Sequence, residues 1–349
     1  MKVNWLLEFA KKISAVMIGL SIILSSTLFI NFGEDIIAVA KMGEKSESKK
    51  TYKTEILKPQ ETVAKEVSSG ENSSAATSSK KSNEKKQGKV ISQFFTPYNA
   101  NTSYNNTYMN NQCGININIK EMLNKKLNLG VEVNSDEPQV LILHTHATEN
   151  YLTEDRDYYT NSDLKRTKDE KFSVVGVGER LKKELEEKGI TTIHDKTLHD
   201  NPSYSGSYTR SSATMEKYLK KYPSIKLVID LHRDAIADGK NIIRPVVEIE
   251  EKEAAQVMIC VGSETGIAEN FSHWKENLHI GLKLQQTLEV LYPGLARPLY
   301  LAYERVYNQD VSPNAIIIEF GTNGNTFAQA EYSAIMVADA IATMLKTAE

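Results

Sequence analysis

Cysteine is nearly missing from this chain: among 349 residues only Cys113 and Cys260 occur. One widely separated pair does not call for a disulfide, although an oxidising compartment would permit one. Cys260 lies in the apolar run 257–261 and reads as a small buried residue. A strong excess of either charge is missing too. The chain has 42 Lys and Arg against 45 Asp and Glu, a formal net charge of −3, which argues against nucleic acid as a general partner. No internal repeat is evident. Aromatic residues are almost absent from 41–88, a stretch rich in Lys, Ser, Glu and Gln. Such a segment cannot bury enough apolar surface to offset the ordering of its backbone, so it is expected to be a disordered tether.

Long apolar runs are scarce as well, and the one at 13–30 is interrupted only by Ser, Thr and Gly. At about eighteen residues it sits at the short limit for a membrane-spanning helix and exceeds an ordinary signal core. Lys2, Lys11 and Lys12 precede it and Glu34 and Asp35 follow. Positive charge on that flank predicts a cytoplasmic N-terminus with the body of the chain outside. Ala38-Val39-Ala40 is a small-x-small pattern that a signal peptidase would accept, but core length favours a retained anchor. Residues 1–40 are therefore expected to form the cytoplasmic N-terminus and transmembrane anchor. The linker and an Asn- and Tyr-rich lead-in fill 41–114, the lead-in being either poorly ordered or a strap on the domain that follows.

From residue 115 the pattern becomes globular. Strand-like apolar runs occur at 140–143, 191–193, 226–231, 245–249, 257–261 and 315–318. Between them lie helical periodicities, including Val174, Val177, Leu181 and Leu185, stopped by Gly189. Further helices are expected at 209–222, 274–291 and 327–345. Strands alternating with helices predict an α/β domain over 115–349, three-layered, with a mostly parallel sheet and helices on both faces.

In such sheets ligands bind beyond the C-terminal ends of the strands. Three runs here end in groups that a core does not need: His144-Thr145-His146, His232-Arg233-Asp234 and Glu319. Two histidine sites, a carboxylate at Glu149 and an isolated glutamate suit Zn²⁺, which accepts neutral imidazole and carboxylate in an open catalytic site. His146, Glu149 and His232 are the expected ligands, with His144 a possible one. A lone strand-end histidine is more often a hydrogen-bonded structural residue, and Glu154, Asp155 and Asp157 compete with Glu149. Glu319 reads as a base, or as a helix cap or arginine partner. Arg210, Arg233, Arg297 and Arg305 are each able to meet an anion, Arg233 being nearest in sequence to a ligand.

HTHATENY at 144–151, VIDLHRDAI at 228–236, WKENLHIGLKLQQTLEVLYPGLARPLY at 274–300 and YNQDVSPNAIIIEFGTNGNT at 307–326 together resemble the stage II sporulation protein P family. These are cell-wall hydrolases of endospore-forming bacteria. The resemblance spans most of the folded region in the expected order, and the anchor and linker match the family layout. It implies a fold like that of zinc-dependent N-acetylmuramoyl-L-alanine amidases, whose ligands are His, Glu and His with a late glutamate as base. By position His146 and His232 match the histidines and Glu319 the late glutamate. Those relatives place their middle glutamate well downstream, so Glu149 is a substitute here, and His144 falls where they have a non-ligand.

The expectation is a membrane-anchored amidase that cuts between N-acetylmuramic acid and L-alanine during engulfment, with Arg233 near the oxyanion. The resemblance also implies action on stem-peptide cross-links and a complex with the lytic transglycosylase of the pathway, stage II sporulation protein D. Its place would be the septal or mother-cell membrane, with the catalytic domain extracytoplasmic. Two alternatives stand beside it: another zinc hydrolase, such as a carboxypeptidase or deacetylase, and a non-catalytic wall-binding scaffold.

Overall fold

Alternating apolar runs and amphipathic segments build two sheets and five α-helices in a computed structural model that describes residues 84–346 apart from 128, 267 and 269. In chain order the elements are β1 (Lys86–Gln93), β2 (Thr102–Tyr104), β3 (Thr107–Asn111), α1 (Ile119–Asn124), β4 (Val140–Leu143), β5 (Tyr158–Thr160), α2 (Val174–Glu187), β6 (Thr192–His194), α3 (Ser207–Lys221) and β7 (Leu227–Asp234). They continue with β8 (Ala237–Asp238), β9 (Asn241–Ile249), β10 (Lys252–Ala255), β11 (Val257–Val261), α4 (Trp274–Leu291), β12 (Leu299–Leu301), β13 (Ala315–Thr322) and α5 (Phe327–Lys346). The predicted anchor and most of the predicted linker lie outside the described residues. Among the described residues no helix is long and apolar enough to cross a membrane.

The larger sheet runs β2-β3-β12-β11-β13-β7-β4-β6. Its half β13-β7-β4-β6 is parallel, as are β3–β12 and β12–β11, while β2–β3 and β11–β13 are antiparallel. Successive side chains on a strand point to opposite faces, and β4 shows the consequence. Val140 and Ile142 join the apolar cluster built by α2, α4 and α5, whereas Leu141 and Leu143 pack with Met215 of α3. Helices therefore cover both faces, in three layers as expected.

Helix α2 illustrates how locally the sequence determines its elements. Ser173 caps it by accepting the Val175 N–H at 3.3 Å. Val174, Val177, Leu181 and Leu185 form its fully buried stripe. Gly189 stops it at φ +79°, a left-handed value that glycine adopts without strain.

The expectation of one mostly parallel sheet requires correction, because the fold is mixed and has a second sheet. That sheet runs β10-β9-β1-β5, with β8 also on β9. Strand β1 pairs parallel to β9 and antiparallel to β5, so part of the segment read as linker belongs to the fold. The Asn- and Tyr-rich lead-in likewise supplies β2 and β3, and β3 extends the larger sheet beside β12. Gln256, fully buried, holds the lead-in as another strand would: its Oε1 accepts the Phe95 N–H at 2.7 Å and its Nε2 donates to the Phe95 carbonyl at 3.0 Å. The fold thus includes described residues N-terminal to 115, from β1 onward.

Helix α4 carries one costly group. Glu289 is nearly buried, its Oε1 has no hydrogen-bond partner among the described residues, and burial pushes its pKa up to about 7. A carboxyl raised above its unfolded value of 4.5 disfavours the fold once it must ionise, a penalty complete above pH 7 and absent below 4.5. Glu289→Gln should therefore stabilise the protein by about 1 kcal/mol at pH 8, solvent screening having removed most of the shift's full worth, and raise Tm by about 2–4 °C. At pH 4 thermal melts of the two forms should coincide.

Candidate active site

From β4 the chain crosses through α2 to β6 on one side, and from β6 through α3 to β7 on the other. The crossovers diverge between β4 and β7, the switch point where open α/β sheets bind ligands. His146 and Glu149 lie in the turn after β4, where the Glu149 N–H donates to the His146 carbonyl at 3.1 Å. His232 lies in β7, and Glu319, on the adjacent β13, is its register partner. After Glu319 the register shifts at a bulge containing Gly321 at φ +64°, and a Cβ there would lie 2.5 Å from Asn325 Oδ1. A bulge of this kind ends the pairing and turns the strand end beside a site.

His146, Glu149 and His232 are all buried and drawn together. The rings of His146 and His232 meet edge to face with centroids 5.3 Å apart. Nδ1 of His232 lies 3.4 Å from Glu149 Oε2, and its Nε2 lies 2.9 Å from Asp230 Oδ1. The second contact is poorly aligned for a hydrogen bond and is better described as a close ion pair. Burial alone would lower the His232 pKa, but Asp230 and Glu149 outweigh it and hold the ring charged well above the usual imidazole range. Burial opposes ionisation of Glu149 too. His232, Arg233 and His146 outweigh it and keep the carboxylate well below its ordinary value.

Around His146 the support is aromatic. Tyr204 stacks on it at 4.4 Å, Tyr208 meets it edge-on at 5.6 Å, and Ser207 Oγ lies 3.3 Å from its Nδ1. No hydrogen bond engages Nε2 among the described residues. Burial, and then the charge on His232, push its pKa down to about 4, so the ring is neutral at neutral pH, the form that ligates metal. Glu319 is half-buried as a residue, but its Oε2 is shut off from solvent and has no hydrogen-bond partner among the described residues. Burial, with Asp234 and Glu149 adding to it, raises its pKa to about 8 against the pull of His232 and Arg297.

His144, the possible fourth ligand, is turned elsewhere. Its Nδ1 lies 2.8 Å from the Leu231 carbonyl and its Nε2 lies 2.8 Å from His194 Nε2, so neither nitrogen is free to share an ion with His146. Arg233 donates its backbone N–H to Glu149 Oε2 at 3.1 Å and its Nε to the Asn150 carbonyl at 2.6 Å. Its Nη2 has no hydrogen-bond partner among the described residues. Arg297 is tied to Asp234, while Arg210 and Arg305 are tied to backbone carbonyls.

Sequence reasoning missed Asp230. Its carboxylate accepts the Thr145 N–H at 2.8 Å and the Thr145 hydroxyl at 2.6 Å while facing His232. A carboxylate inside the apolar run LVIDL was the available signal, since a buried charge needs a reason. Arg166 and Asp200 were missed as well: Arg166 Nη2 lies 3.5 Å from Glu149 Oε1, and its Nη1 donates to Asp200 Oδ2 at 2.7 Å.

Two imidazoles and a carboxylate, with an orphaned carboxyl oxygen on the neighbouring strand, fit zinc in donor type. His146, Glu149 and His232 would hold it, with Asp230 fixing the His232 ring as outer carboxylates commonly do. Among the described residues no three His, Cys, Asp or Glu side chains already converge on one point. The three are instead paired with one another and with their neighbours.

The sequence model of the family described as Stage II sporulation protein P (SpoIIP) matches residues 26–342. The curated Stage II sporulation protein P of Bacillus subtilis (strain 168) is 29% identical over 228 residues, covering 62% of this chain and 54% of that protein. The chain thus spans about half the length of that relative. Among solved structures, the CwlD amidase from Clostridioides difficile in complex with the GerS lipoprotein is 11% identical, with 60% of this chain and 98% of that chain covered and a TM-score of 0.36. An N-acetylmuramoyl-L-alanine amidase from Clostridium difficile 630 is 14% identical, with 61% and 96% covered and the same TM-score of 0.36. Likeness of that degree leaves the chemistry to the residues themselves.

Proposed function

The chain belongs to the stage II sporulation protein P family, and from that premise we propose that it is a zinc-dependent peptidoglycan hydrolase cutting the amide between N-acetylmuramic acid and the stem L-alanine. The observation that carries this reading is the meeting of His146, Glu149 and His232 at the switch point, beside the unpartnered Oε2 of Glu319. Two neutral-capable imidazoles, a carboxylate and a separate carboxyl are the parts an amide hydrolase of this class requires.

Bound there, zinc would activate water, polarise the scissile carbonyl and, as a neighbouring dication, draw the Glu319 pKa down. The protein's own groups do the rest. Glu319 accepts the proton of the attacking water at Oε2 and returns it to the departing alanine nitrogen. Asp230 and Glu149 fix the ring of His232, and Tyr204, Tyr208 and Ser207 fix that of His146. Arg233, whose Nη2 is uncommitted, supports the oxyanion of the tetrahedral stage.

The setting belongs to the same reading. An N-terminal anchor would hold the domain against peptidoglycan at the septal or mother-cell membrane during engulfment, beside a stage II sporulation protein D-type lytic transglycosylase. The lysine-flanked apolar run and the family membership support it. Mass spectrometry of muropeptides after digestion of purified peptidoglycan is the test. Free stem peptides with N-terminal alanine are expected. Products shortened only within the peptide would replace the amidase reading by an endopeptidase.

A further inference from the structure

Arg166 sits at the lip of the site in a setting that a structural arginine does not need. Its guanidinium is anchored from within: Nη1 donates to Asp200, whose side chain is fully buried, and Nη2 lies 3.5 Å from Glu149 Oε1. Asp200 is itself fixed by the Thr148 hydroxyl at 2.6 Å, one residue before Glu149. On its outer side the guanidinium carbon lies 4.8 Å from the centre of the Tyr204 ring, and that ring stacks on His146. The Arg166 side chain is 36% exposed and Tyr204 is 48% exposed, so both reach the mouth of the site. No hydrogen bond engages Arg166 Nε among the described residues.

A half-exposed guanidinium held in a fixed plane, with an edge left free, is pre-organised to take a planar anion. Little rotamer entropy remains to be lost when the two hydrogen bonds form. A lysine on a free stem would offer neither the plane nor the fixed direction. The position also sets the distance. Arg166 touches Glu149 and, through Tyr204, lies one side chain from His146, so an anion held there belongs to the residues next to the scissile bond. Glycan hydroxyls carry no charge, whereas the peptide stem carries carboxylates. We propose that Arg166, braced by Asp200 and Tyr204, is the specificity residue that docks a carboxylate within the first two residues of the stem peptide. The proposal rests on the peptidoglycan reading above and names which half of that substrate the site recognises.

Binding separates the two. The full chain carrying Glu319→Gln, loaded with zinc, is titrated calorimetrically with two soluble disaccharide-peptides that differ only in whether the second stem residue carries a free carboxylate or a carboxamide. The carboxylate form should bind about ten times more tightly, the scale of one charge-assisted pair. Adding Arg166→Gln should bring both ligands to the weaker affinity with zinc content unchanged, and Arg166→Lys should restore part of the difference. Equal binding of both ligands by the parent, or discrimination that survives Arg166→Gln, overturns the proposal. So does loss of zinc and of both ligands together, in both Arg166 variants, because Arg166 would then be bracing Glu149 rather than meeting substrate. The cleavage position of the unmodified chain is read independently. A cut elsewhere in the stem with Arg166-dependent discrimination intact would remove the amidase assignment and leave the anchor standing.

Discussion

Replacing Glu319 by glutamine should leave the chain folded and able to take up zinc while lowering peptidoglycan cleavage by about a hundredfold to ten-thousandfold, the range that a positioned proton-transfer group supplies. The substitution keeps the shape of the side chain and removes only its capacity to accept and return a proton. Burial already holds the carboxyl neutral up to about pH 8, so losing its charge removes nothing the fold depends on. The sign favours the variant: a pKa raised above the unfolded value of 4.5 makes ionisation costly in the folded state, fully so above pH 8. Thermal melts should therefore be equal at pH 4 and should favour Glu319→Gln at pH 9. Release of muropeptides from purified sacculi and metal content by atomic absorption are the two measurements. Undiminished release would remove Glu319 from the reaction, and lost zinc would make it a ligand rather than a base.

Much of the fold was legible because its core strands are short continuous runs of β-branched and aliphatic residues. Such runs are buried on both faces and bounded by polar turns. The periodicity at 274–291 coincides with α4, and Glu319, His232 and His146 were singled out because strand ends in an α/β sheet are where ligands bind. Strand β1 could not be found this way. Only Val90 in it is buried, and its parallel partner β9 lies far along the chain, so neither alternation nor a turn announces the pairing. The same holds for Arg166, Asp200 and Tyr204, which come from irregular connections whose sequence carries no period. Asp230 differs, because its signal was present and was absorbed into the apolar run around it. One carboxylate in LVIDL marks where the strand must pay attention to a partner, and that partner, His232, is two residues away on the same face.

Asp230 is also where the largest loss of stability near the site is expected. Asp230→Ala strands the buried His232 ring without its closest carboxylate and leaves the Thr145 N–H without its acceptor. Breaking one partner of a buried charge pair costs about 3–5 kcal/mol, because the other charge stays buried and unpaired. Two opposite shifts set the pH window. The Asp230 pKa is lowered, against burial, by His232 and Thr145, so its contribution is present above the unfolded value of 3.8 and is lost as pH falls through the folded one. The His232 pKa is raised, against burial, by Asp230 and Glu149, so its contribution is full below 6.5 and is lost as pH rises through the folded value. Between pH 4 and 6.5 both hold, and urea unfolding of Asp230→Ala should show its greatest deficit there. Asp230→Asn separates the hydrogen bond from the charge. Its amide oxygen can still accept from Thr145, so only the share of the loss owed to the Thr145 N–H should return, while the charge that pairs with and orients the His232 ring does not. Zinc affinity measured by chelator competition should then fall by about 10–100-fold, the usual effect of removing an outer carboxylate. An alanine variant as stable as the parent at pH 5 would mean that the His232 charge is held by Glu149 alone, and Asp230 would lose its place in the site.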